Sequence, residues 1–329
     1  MATYIVRRLA AMLGMLIALS IIVFLIFSAL PADPARLTCG KSCSPQIIAA
    51  NRVRLGLDKP LEQQYTSFVE AIFVGRTYGS GSATFPCHVP CLGYSFRQGA
   101  EVTDLITSTL PVTVQIALGA FVLWMLLGVL SGIYAALQRG TWKDRSVMGL
   151  ALVGYSFPSF FIGLIFIYFV QIKLRLIGFE GFVKFTTDPG KWFTGLIGPW
   201  VTLALLYAAF YARLTRNQML ETMGEDFIRT ARAKGLRERT VIGKHGLRAG
   251  LTPLVTAAGL DLAGLLGGAI ITEAVFNMPG MGRLAVQSVV DSDLPIITAV
   301  TLLVATFIIV ANLVVDVLYA VVDPRVRLT

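Results

Sequence analysis

Six stretches of the chain contain few charged residues and are long enough to cross a membrane. They run from Leu9 to Leu30, Leu110 to Leu137, Val147 to Val170, Gly195 to Ala212, Pro253 to Val275 and Pro295 to Ala320. The hydrocarbon core of a bilayer needs about 20 apolar residues per helix. The pattern therefore predicts an all-α integral membrane protein with six transmembrane helices, of which the fourth is the shortest. An even number of spans places both termini on one side of the membrane.

The composition agrees with membrane insertion and leaves a positive charge to be explained. Hydrophobic residues make up 55% of the 329 residues and charged residues 14%, the mean hydropathy is +0.72 and the formal net charge is +9. Such values are typical of an integral membrane protein. The lysines and arginines flank the apolar stretches, where orientation in the bilayer and anionic lipid headgroups account for them. We therefore expect contact with membrane lipid and no nucleic-acid partner.

The distribution of basic residues predicts the orientation. Lysine and arginine cluster before the first stretch, between the second and third, between the fourth and fifth, and at the C-terminal end. The opposite short loops hold fewer of them, and one has Arg283 alone. Short loops rich in these residues stay on the cytoplasmic side, so both termini and residues 213–250 are predicted to be cytoplasmic. Residues 1–30 are interpreted as a retained signal anchor, because no Ala-x-Ala type of cleavage site precedes Pro31.

The first external loop, residues 31–107, is too long to be a bare connector. Apolar residues such as Leu55, Tyr65 and Phe68 are spread through it, so we expect a small folded extracytoplasmic cap. All four cysteines lie in this loop as two CxxxC pairs, Cys39 with Cys43 and Cys87 with Cys91. In an oxidising compartment they favour two disulfides, whose three connectivities stay open. The alternatives are free thiols, or a metal site that includes His88, although CxxxC is a less specific ligand spacing than paired CxxC.

Residues 213–250 form a long charged segment between two apolar stretches. Leu220, Met223, Phe227 and Ala231 recur at helical spacing and predict one helix with a single apolar stripe. Gly235 then ends that helix as a C-cap. On the pattern alone two interpretations stay open. The helix is either a docking surface for another protein, or it lies in the lipid headgroups with its basic residues on phosphates.

The residues around this predicted C-cap favour the first interpretation. Arg229, Thr230, Ala231, Arg232, Ala233, Lys234, Gly235 and Leu236 are followed by His245-Gly246-Leu247-Arg248 and by Pro253. This order resembles the EAA loop of ABC-importer permeases, in the form found in the dipeptide/oligopeptide family. Further matching motifs occur in the expected order at 4–9 (YIVRRL), 156–160 (SFPSF), 267–284 (GGAIITEAVFNMPGMGRL), 316–320 (DVLYA) and 323–325 (DPR). The resemblance spans nearly the whole chain.

The chain departs from the family pattern at three places and in its cysteines. Pro31-Ala32-Asp33-Pro34 replaces Pro-Gly-Asp-Pro, Arg248-Ala249-Gly250 replaces Arg-Asn-Ala, and Asp261 stands where an amide or small residue is usual. The four-cysteine loop is also not a general feature of the family. These departures leave the resemblance intact and bear instead on which peptide is carried.

The resemblance implies a division of labour among several proteins in a bacterial inner membrane. This chain and a second homologous permease form the two halves of a pore, two cytoplasmic ATPases bind their EAA loops, here residues 229–236, and an extracytoplasmic binding protein delivers the peptide. The chain is expected to be non-catalytic and without a cofactor, since it has no Gly-x-x-x-x-Gly-Lys-Ser/Thr phosphate loop. ATP and Mg²⁺ belong on the ATPases. The permease domain is then residues 108–329.

Charged side chains inside the apolar stretches are candidates for the transport pathway, because a charge in hydrocarbon is costly and usually faces a cavity. Asp261 is the most central, and either faces a cavity or hydrogen bonds to another helix. Glu273 and Asp316 lie nearer the span ends, where structural roles fit better. Pro158 interrupts the third span, and its kink either acts as a hinge or shapes the bundle.

The remaining candidate residues lie within the fifth span and in the loop that follows it. The loop after the fifth span is rich in glycine and proline, and its candidates for contact with the binding protein are Asn277, Pro279, Gly280 and Arg283. Within the fifth span, Gly264, Gly267 and Gly268 are predicted to permit close helix packing.

Two other classes of protein compete with the importer permease. An ion-gradient-driven secondary transporter is expected to show several intramembrane acids or a pair of broken helices in matched halves. A membrane hydrolase needs a nucleophile with a base, or metal ligands, yet the chain has only His88 and His245, on opposite predicted sides. The cargo stays open among a dipeptide, an oligopeptide, glutathione, haem and a nickel chelate.

Overall fold

The computed structural model describes residues 2–29, 34–37, 44–80, 83–179, 181–267 and 269–322, which are mainly helical. The chain divides into two compact units, the first made of residues 1–112 and 279–329, and the second of residues 113–278. Both contain long apolar helices, and the first also contains two small antiparallel sheets.

The first unit combines helices from both ends of the chain with short strands. Its elements are α1 (Ala2–Ala29), α2 (Pro34–Leu37), α3 (Pro45–Leu55), α4 (Leu61–Val74), β1 (Arg76–Ser80), β2 (Ala83–Cys87), β3 (Tyr94–Ser95), β4 (Ala100–Glu101), the beginning of α5 (Val102–Leu137), α14 (Met281–Val290) and α15 (Leu294–Val322). Helix α1 packs along α15. Strands β1 and β2 pair antiparallel with Arg76 opposite Cys87, and β3 pairs with β4.

Local signals explain why α3 begins and ends where it does. The Ser44 hydroxyl accepts a hydrogen bond from the Ile47 N–H at 3.3 Å, and Pro45 occupies the first helical position, where its missing N–H has no cost. Gly56, at φ +72°, ends the helix in the left-handed conformation that glycine adopts readily.

The buried core of the first unit lies where the start of α5 meets α14 and α15. It consists of Val102, Ile106, Met281, Leu284, Ile296, Ala299 and Val300. The residue before β3 packs closely against the start of α15. A Cβ added to Gly93, which has φ +123°, would lie 3.3 Å from the Pro295 Cβ. The Ser95 hydroxyl also donates a hydrogen bond to the carboxylate of Asp293, and both residues are buried. The predicted cap region is thus attached to the apolar helices of its own unit.

One cysteine pair is described. The Sγ atoms of Cys87 and Cys91 are bonded to each other, in a small core with Ala71. A bridge between the two CxxxC pairs is therefore excluded, and His88, beside them, instead contacts Glu101 through its Nδ1 at 2.6 Å. Cys39 and Cys43 lie outside the described residues, so their pairing stays a prediction.

The second unit consists of helices. After the rest of α5 these are α6 (Trp142–Ser156), α7 (Ser159–Phe166) with a π-helical continuation (Ile167–Lys173), α8 (Pro189–Thr222), α9 (Asp226–Ala233), α10 (Glu238–Thr240) with a π-helical continuation (Val241–Gly246), α11 (Leu247–Gly250), α12 (Thr252–Leu266) and α13 (Ile270–Val275). Helices α6, α7, α11, α12 and α13 all contact α8.

Three glycines let α5 approach α8 closely in the second unit. An added Cβ on Gly119 would lie 2.1 Å from the Trp200 ring, one on Gly128 would lie 2.6 Å from the Tyr211 Cβ, and one on Gly132 would lie 2.5 Å from the Ala212 carbonyl oxygen. Such distances are too short for any side chain, so glycine is required at these positions. Small residues that bring helix backbones together are a common means of packing in membranes. The prediction for Gly264 was wrong, because no described atom lies within 4 Å of its added Cβ, and Gly268 lies outside the described residues.

Among the described residues, four single helices are long and apolar enough to span a membrane, at Val6–Ile26, Val102–Leu137, Pro189–Thr222 and Leu294–Val314. Two bent pairs of helices, Trp142–Ser156 with Ser159–Lys173 and Glu238–Gly250 with Pro253–Leu266, raise the number to six if each pair forms one span. The second pair begins within residues 213–250, which the charge pattern predicts to be cytoplasmic, and so differs from the predicted fifth span. The shortest predicted span, the fourth, lies within the 34-residue helix α8, which extends beyond the apolar stretch at both ends.

The third and fifth predicted spans are not continuous helices. Helix α6 ends at Ser156 and α7 begins at Ser159, with a bend of 99° between them. The sequence pattern predicted that Pro158 kinks a continuous helix from its interior. In the structure Pro158 is instead the N-cap of α7, between two separate helices. The fifth span is divided between α12, which ends at Leu266, and α13, which begins at Ile270.

Candidate functional site

The predicted coupling residues lie on α9 and the turn after it, in the second unit. Helix α8 ends at Thr222, and a short turn leads into α9 at Asp226. Ile228 and Ala231 of α9 pack with Val241 and the partly buried Met223 in a small apolar core. Ile228 and Val241 are completely buried, so α9 is fixed to the segment that follows it.

Two glycines attach the same segment to the end of α8. A Cβ on Gly246 would lie 3.0 Å from the Met223 Sδ, and one on Gly250 would lie 3.3 Å from the Sδ of Met219, which is fully buried. Residues 226–250 therefore form a continuation of α8 that is held by side-chain packing, and not a loose loop.

The predicted single apolar stripe from Leu220 to Ala231 was wrong. The helix breaks between Thr222 and Asp226, so the four stripe residues lie on two elements with different directions. Ala231 is buried as predicted, but Phe227 is 46% exposed, and the buried position beside it is Ile228. The break follows from Gly224, whose poor helix propensity favours a turn.

The exposed face of α9 and its following turn combines apolar and basic side chains. Phe227 is 46% and Leu236 41% exposed, and Arg229, Lys234, Arg237 and Arg239 are also exposed. Two ion pairs lie on this surface: the guanidinium of Arg232 donates to Glu238 at 2.7 Å and 3.2 Å, and Arg229 donates to Asp226 at 3.2 Å. Exposed pairs of this kind contribute little to stability, because solvent screens their charges. We call residues 226–239 the α9 surface.

Gly235 follows the end of helix α9 in a conformation that suits glycine. Lys234 is the C-cap residue of α9, and Gly235 follows it with φ +74°. The Gly235 N–H donates to the Arg232 carbonyl oxygen at 2.9 Å. Among the described residues no atom lies within 4 Å of a Cβ added at Gly235, so the requirement there comes from the backbone and not from space.

The intramembrane acids have different surroundings. Asp261 is partly exposed, and its Oδ2 accepts a hydrogen bond from the Tyr211 hydroxyl at 2.6 Å. Glu273 is completely buried and accepts from the Thr113 hydroxyl at 2.8 Å. Asp316 lies on α15, but its side chain is outside the described part of the chain. Glu273 thus joins helices inside its unit, whereas Asp261 reaches a surface.

The residues proposed for binding-protein contact lie along the chain from the end of α13 to the start of α14. Asn277 is exposed and has φ +53°, and Pro279 and Arg283 are also exposed. Gly280 is buried at the N-cap of α14, so its side of the turn is not accessible for direct contact.

Sequence reasoning missed one charged pair in the second unit. Arg216 on α8 donates from Nε and Nη2 to the two carboxylate oxygens of Asp144 at the start of α6, at 2.6 Å and 2.8 Å. The only local signal was the position of Asp144 three residues after Thr141, whose hydroxyl caps α6. Across the described ranges no group of three or more His, Cys, Asp or Glu side chains is placed to hold a metal ion.

Comparison with known proteins identifies the family. Residues 128–328 match the family model described as binding-protein-dependent transport system inner membrane component, and residues 1–117 match the model of the N-terminal part of such components. The chain is 36% identical over 327 residues to a putative peptide transport system permease protein of Brucella abortus, with 99% of both chains covered. It is 38% identical to a glutathione transport system permease protein of Escherichia coli K12, again over 99% of both chains.

The solved structures agree with this assignment at the level of the fold. A chain from inward-facing conformations of the MetNI methionine ABC transporter aligns with a TM-score of 0.54 at 20% identity, covering 67% of this chain and 96% of that one. Family matches that extend over both ends of the chain, and relatives of the same length, lead to one conclusion. The chain belongs to the family of inner membrane components of binding-protein-dependent transport systems.

Proposed function

We propose that this chain is a permease subunit of an ATP-driven importer, and that it forms half of the pore through which a peptide crosses the bacterial inner membrane. The observation that carries the proposal is the similarity, over 99% of the chain, to a permease of a putative peptide transport system. A probable peptide ABC transporter permease of Sinorhizobium fredii is 35% identical over the same length. Permeases of this kind do not hydrolyse ATP themselves, and the chain has no phosphate-binding loop.

The α9 surface is the proposed docking site for a cytoplasmic ATPase. Three observations support this role. The surface is held to α8 by a buried core around Ile228, it exposes the apolar residues Phe227 and Leu236, and it carries an excess of basic residues. Exposed aromatic residues surrounded by charged ones are typical of protein interfaces. A rigid connection to α8 would transmit a displacement of the ATPase to the transmembrane helices, as in rigid-body switching.

The other partners follow from the proposed role. A second homologous permease completes the pore, two ATPases carry ATP and Mg²⁺, and a binding protein delivers cargo on the extracytoplasmic side. The positive-inside bias supports cytoplasmic termini and a cytoplasmic α9 surface. The same bias supports an extracytoplasmic position for residues 31–107, and Asn277, Pro279 and Arg283 are the proposed contacts for the binding protein.

Glutathione is a second candidate cargo. The 38% identity to a glutathione permease favours it as strongly as the peptide relatives favour other cargoes. Glutathione is itself a tripeptide, so both groups of relatives agree on a small molecule with peptide bonds and a free amine. Family membership argues against the ion-gradient-driven carrier and the membrane hydrolase.

The test is uptake by a reconstituted transporter. The chain is co-expressed with its partner permease, ATPases and binding protein, and the complex is placed in vesicles that are offered labelled trialanine, dialanine or glutathione. The proposal predicts accumulation of at least one of the three with ATP on the ATPase side, and none with ADP. Accumulation driven by an ion gradient without ATP, or no accumulation of any of the three, would contradict it.

A further inference from the structure

The carboxylate of Asp261 lies among aromatic side chains near the middle of the predicted fifth span. Tyr211, one of its neighbours on α8, donates a hydrogen bond to Oδ2 at 2.6 Å. Tyr207 lies one helical turn before Tyr211, on the same face of α8. Tyr207 also stacks on Trp124 of α5 with a ring-centroid distance of 4.5 Å. All four residues belong to the second unit.

Among the described residues, Asp261 has no basic side chain as an ion-pair partner. The carboxylate of Glu273 has different surroundings, since it is fully buried and hydrogen bonded inside the unit. Asp261 is instead partly exposed, as is Tyr207.

A partly exposed carboxylate at this depth does not face lipid, because the cost of a charge in hydrocarbon is several kcal/mol. The surface that carries Asp261 and Tyr207 therefore faces an aqueous path or a polar occupant. A single hydrogen bond from a tyrosine orients one carboxylate oxygen but leaves the negative charge in place. The group that fits this surface is a cation.

The neighbouring aromatic rings favour an organic ammonium group as the cation. The face of a tyrosine attracts an ammonium group within about 6 Å of its centroid, with an energy that rises when water is excluded. A carboxylate beside such a face is suited to an organic amine more than to a hard metal ion, which requires several oxygen ligands. A peptide with a free N-terminus, glutathione included, carries such an amine, which is protonated below its pKa of about 7.7 to 8.0.

We propose that Asp261, with Tyr207 beside it, binds the protonated amine of the peptide during its passage, and that Tyr211 orients the carboxylate. This inference rests on the proposed function and adds the chemical feature of the cargo that the membrane part recognises. It predicts that cargo without a free amine is bound poorly by the permease itself, whatever the binding protein selects.

The first experiment separates the charge of Asp261 from its hydrogen bond. Asp261→Asn keeps an oxygen that accepts from Tyr211 and removes the charge, whereas Tyr211→Phe removes the hydrogen bond and keeps the charge. Uptake of the cargo that the wild-type vesicles import should fall at least about tenfold in D261N, since a hydrogen bond to a charged group is worth about 1.5 to 3 kcal/mol. Uptake should also fall in Y211F, but by less than in D261N, because the charge of Asp261 is kept and only its orientation by Tyr211 is lost. Asp261→Glu should retain most of the uptake. Equal losses in D261N and Y211F, or uptake by D261N within twofold of wild type, would overturn the inference.

The second experiment measures ligand contact directly and excludes a merely structural effect. The detergent-solubilised transporter, without its binding protein, is exposed to a tripeptide with a free amine and a C-terminal benzophenone, and then illuminated. We expect labelling of this chain that excess trialanine suppresses, that excess N-acetyl-trialanine does not, and that D261N abolishes. No labelling, or equal competition by both peptides, would overturn the inference. If wild-type vesicles import none of the three cargoes, the proposed function fails, whereas import that ignores D261N defeats only the present inference.

Discussion

Asp144 and Arg216 form a two-point ion pair between the start of α6 and the C-terminal part of α8, although they are 72 residues apart in the chain. The Asp144 carboxylate also accepts from the Gly140 N–H at 3.0 Å, and its side chain is only 5% exposed. Because both guanidinium bonds are directed at one carboxylate, the pair fixes the orientation of two helices and not only their separation. The same helix, α8, continues into the α9 surface, so the pair holds the base of the proposed coupling segment.

Breaking this pair should destabilise the protein. Arg216→Ala leaves a buried carboxylate without its partner, which typically costs about 3 to 5 kcal/mol. Arg216→Lys keeps the positive charge but lacks the planar guanidinium that donates two hydrogen bonds to one carboxylate. We therefore expect a loss of stability between those of wild type and R216A. Thermal unfolding of the purified chain measures the effect, with Lys143→Ala, at an exposed neighbour, as the control. Equal unfolding temperatures for R216A and K143A would contradict the role given to the pair.

Transport by variants at position 235 should depend on whether the new residue tolerates the left-handed backbone conformation, and not on the size of its side chain. A left-handed residue other than glycine or asparagine costs about 1 to 2 kcal/mol, and Gly235 has open space around its added Cβ within the described structure. Gly235→Asn should therefore keep ATP-dependent uptake, whereas Gly235→Val should lose most of it while the chain still inserts in the membrane. Uptake by vesicles and membrane content of the chain are compared. Loss in both variants would show that the side chain at 235 itself disturbs docking.

The close packing of α5 on α8 predicts a large difference between two glycines of the second unit. Gly128→Ala places a Cβ 2.6 Å from the Tyr211 Cβ, whereas no described atom lies within 4 Å of the Cβ in Gly264→Ala. Overpacking of this kind costs about 1 to 3 kcal/mol, so G128A should lower the unfolding temperature and G264A should not. The ranking would be refuted by a G264A variant that is as unstable as G128A.

The buried carboxylate of Asp293 should make stability depend on pH. Burial raises the pKa of Asp293 above its ordinary value of 3.8, although hydrogen bonds from Ser95 and from the Ile296 backbone oppose this. The folded state then binds the proton more tightly than the unfolded chain, so stability falls as pH rises from about 4 through the raised pKa. Asp293→Asn keeps an oxygen that accepts from Ser95 and cannot ionise. The unfolding temperature of D293N minus that of wild type should therefore increase with pH, and a constant difference from pH 4 to pH 8 would contradict the prediction.

The hydropathy pattern predicted where apolar helices lie, but it could not predict where they break. Four spans appear as single helices because a long apolar run has no alternative to helical hydrogen bonding in a membrane. The third span is broken at Pro158 and the fifth between Leu266 and Ile270, since hydropathy is insensitive to backbone direction. Pro158 in the third span, and Gly267 with Gly268 in the fifth, are local signals of a helix break, because proline and glycine disfavour a helix interior.

The structure corrects the helix assignment in the candidate site, whereas its role in coupling stays a prediction. The coupling segment was located by its motif, but its apolar stripe was assigned to one helix, because spacing alone does not reveal the turn at Gly224. Arg216 was counted only as a cytoplasmic charge, and nothing local connects it with Asp144. The charge of Asp261 in an apolar run is visible in the sequence, whereas its hydrogen bond with Tyr211 of α8 is visible only in the structure.

The central claim is that the α9 surface binds the ATPases of an importer. Phe227 and Ile228 are adjacent, yet Phe227 is 46% exposed and Ile228 is buried. Phe227→Glu should therefore leave folding intact and abolish docking, whereas Ile228→Ala should cost about 2 to 4 kcal/mol of stability. Phe185→Glu is the matched control, since Phe185 is 58% exposed in a loop predicted to lie on the opposite side of the membrane.

The deciding measurement is co-purification of the ATPase subunits with wild type, F227E and F185E in mild detergent, at matched unfolding temperatures. We expect the ATPases to accompany wild type and F185E and to be lost from F227E. Retention of the ATPases by F227E at the wild-type level would contradict it.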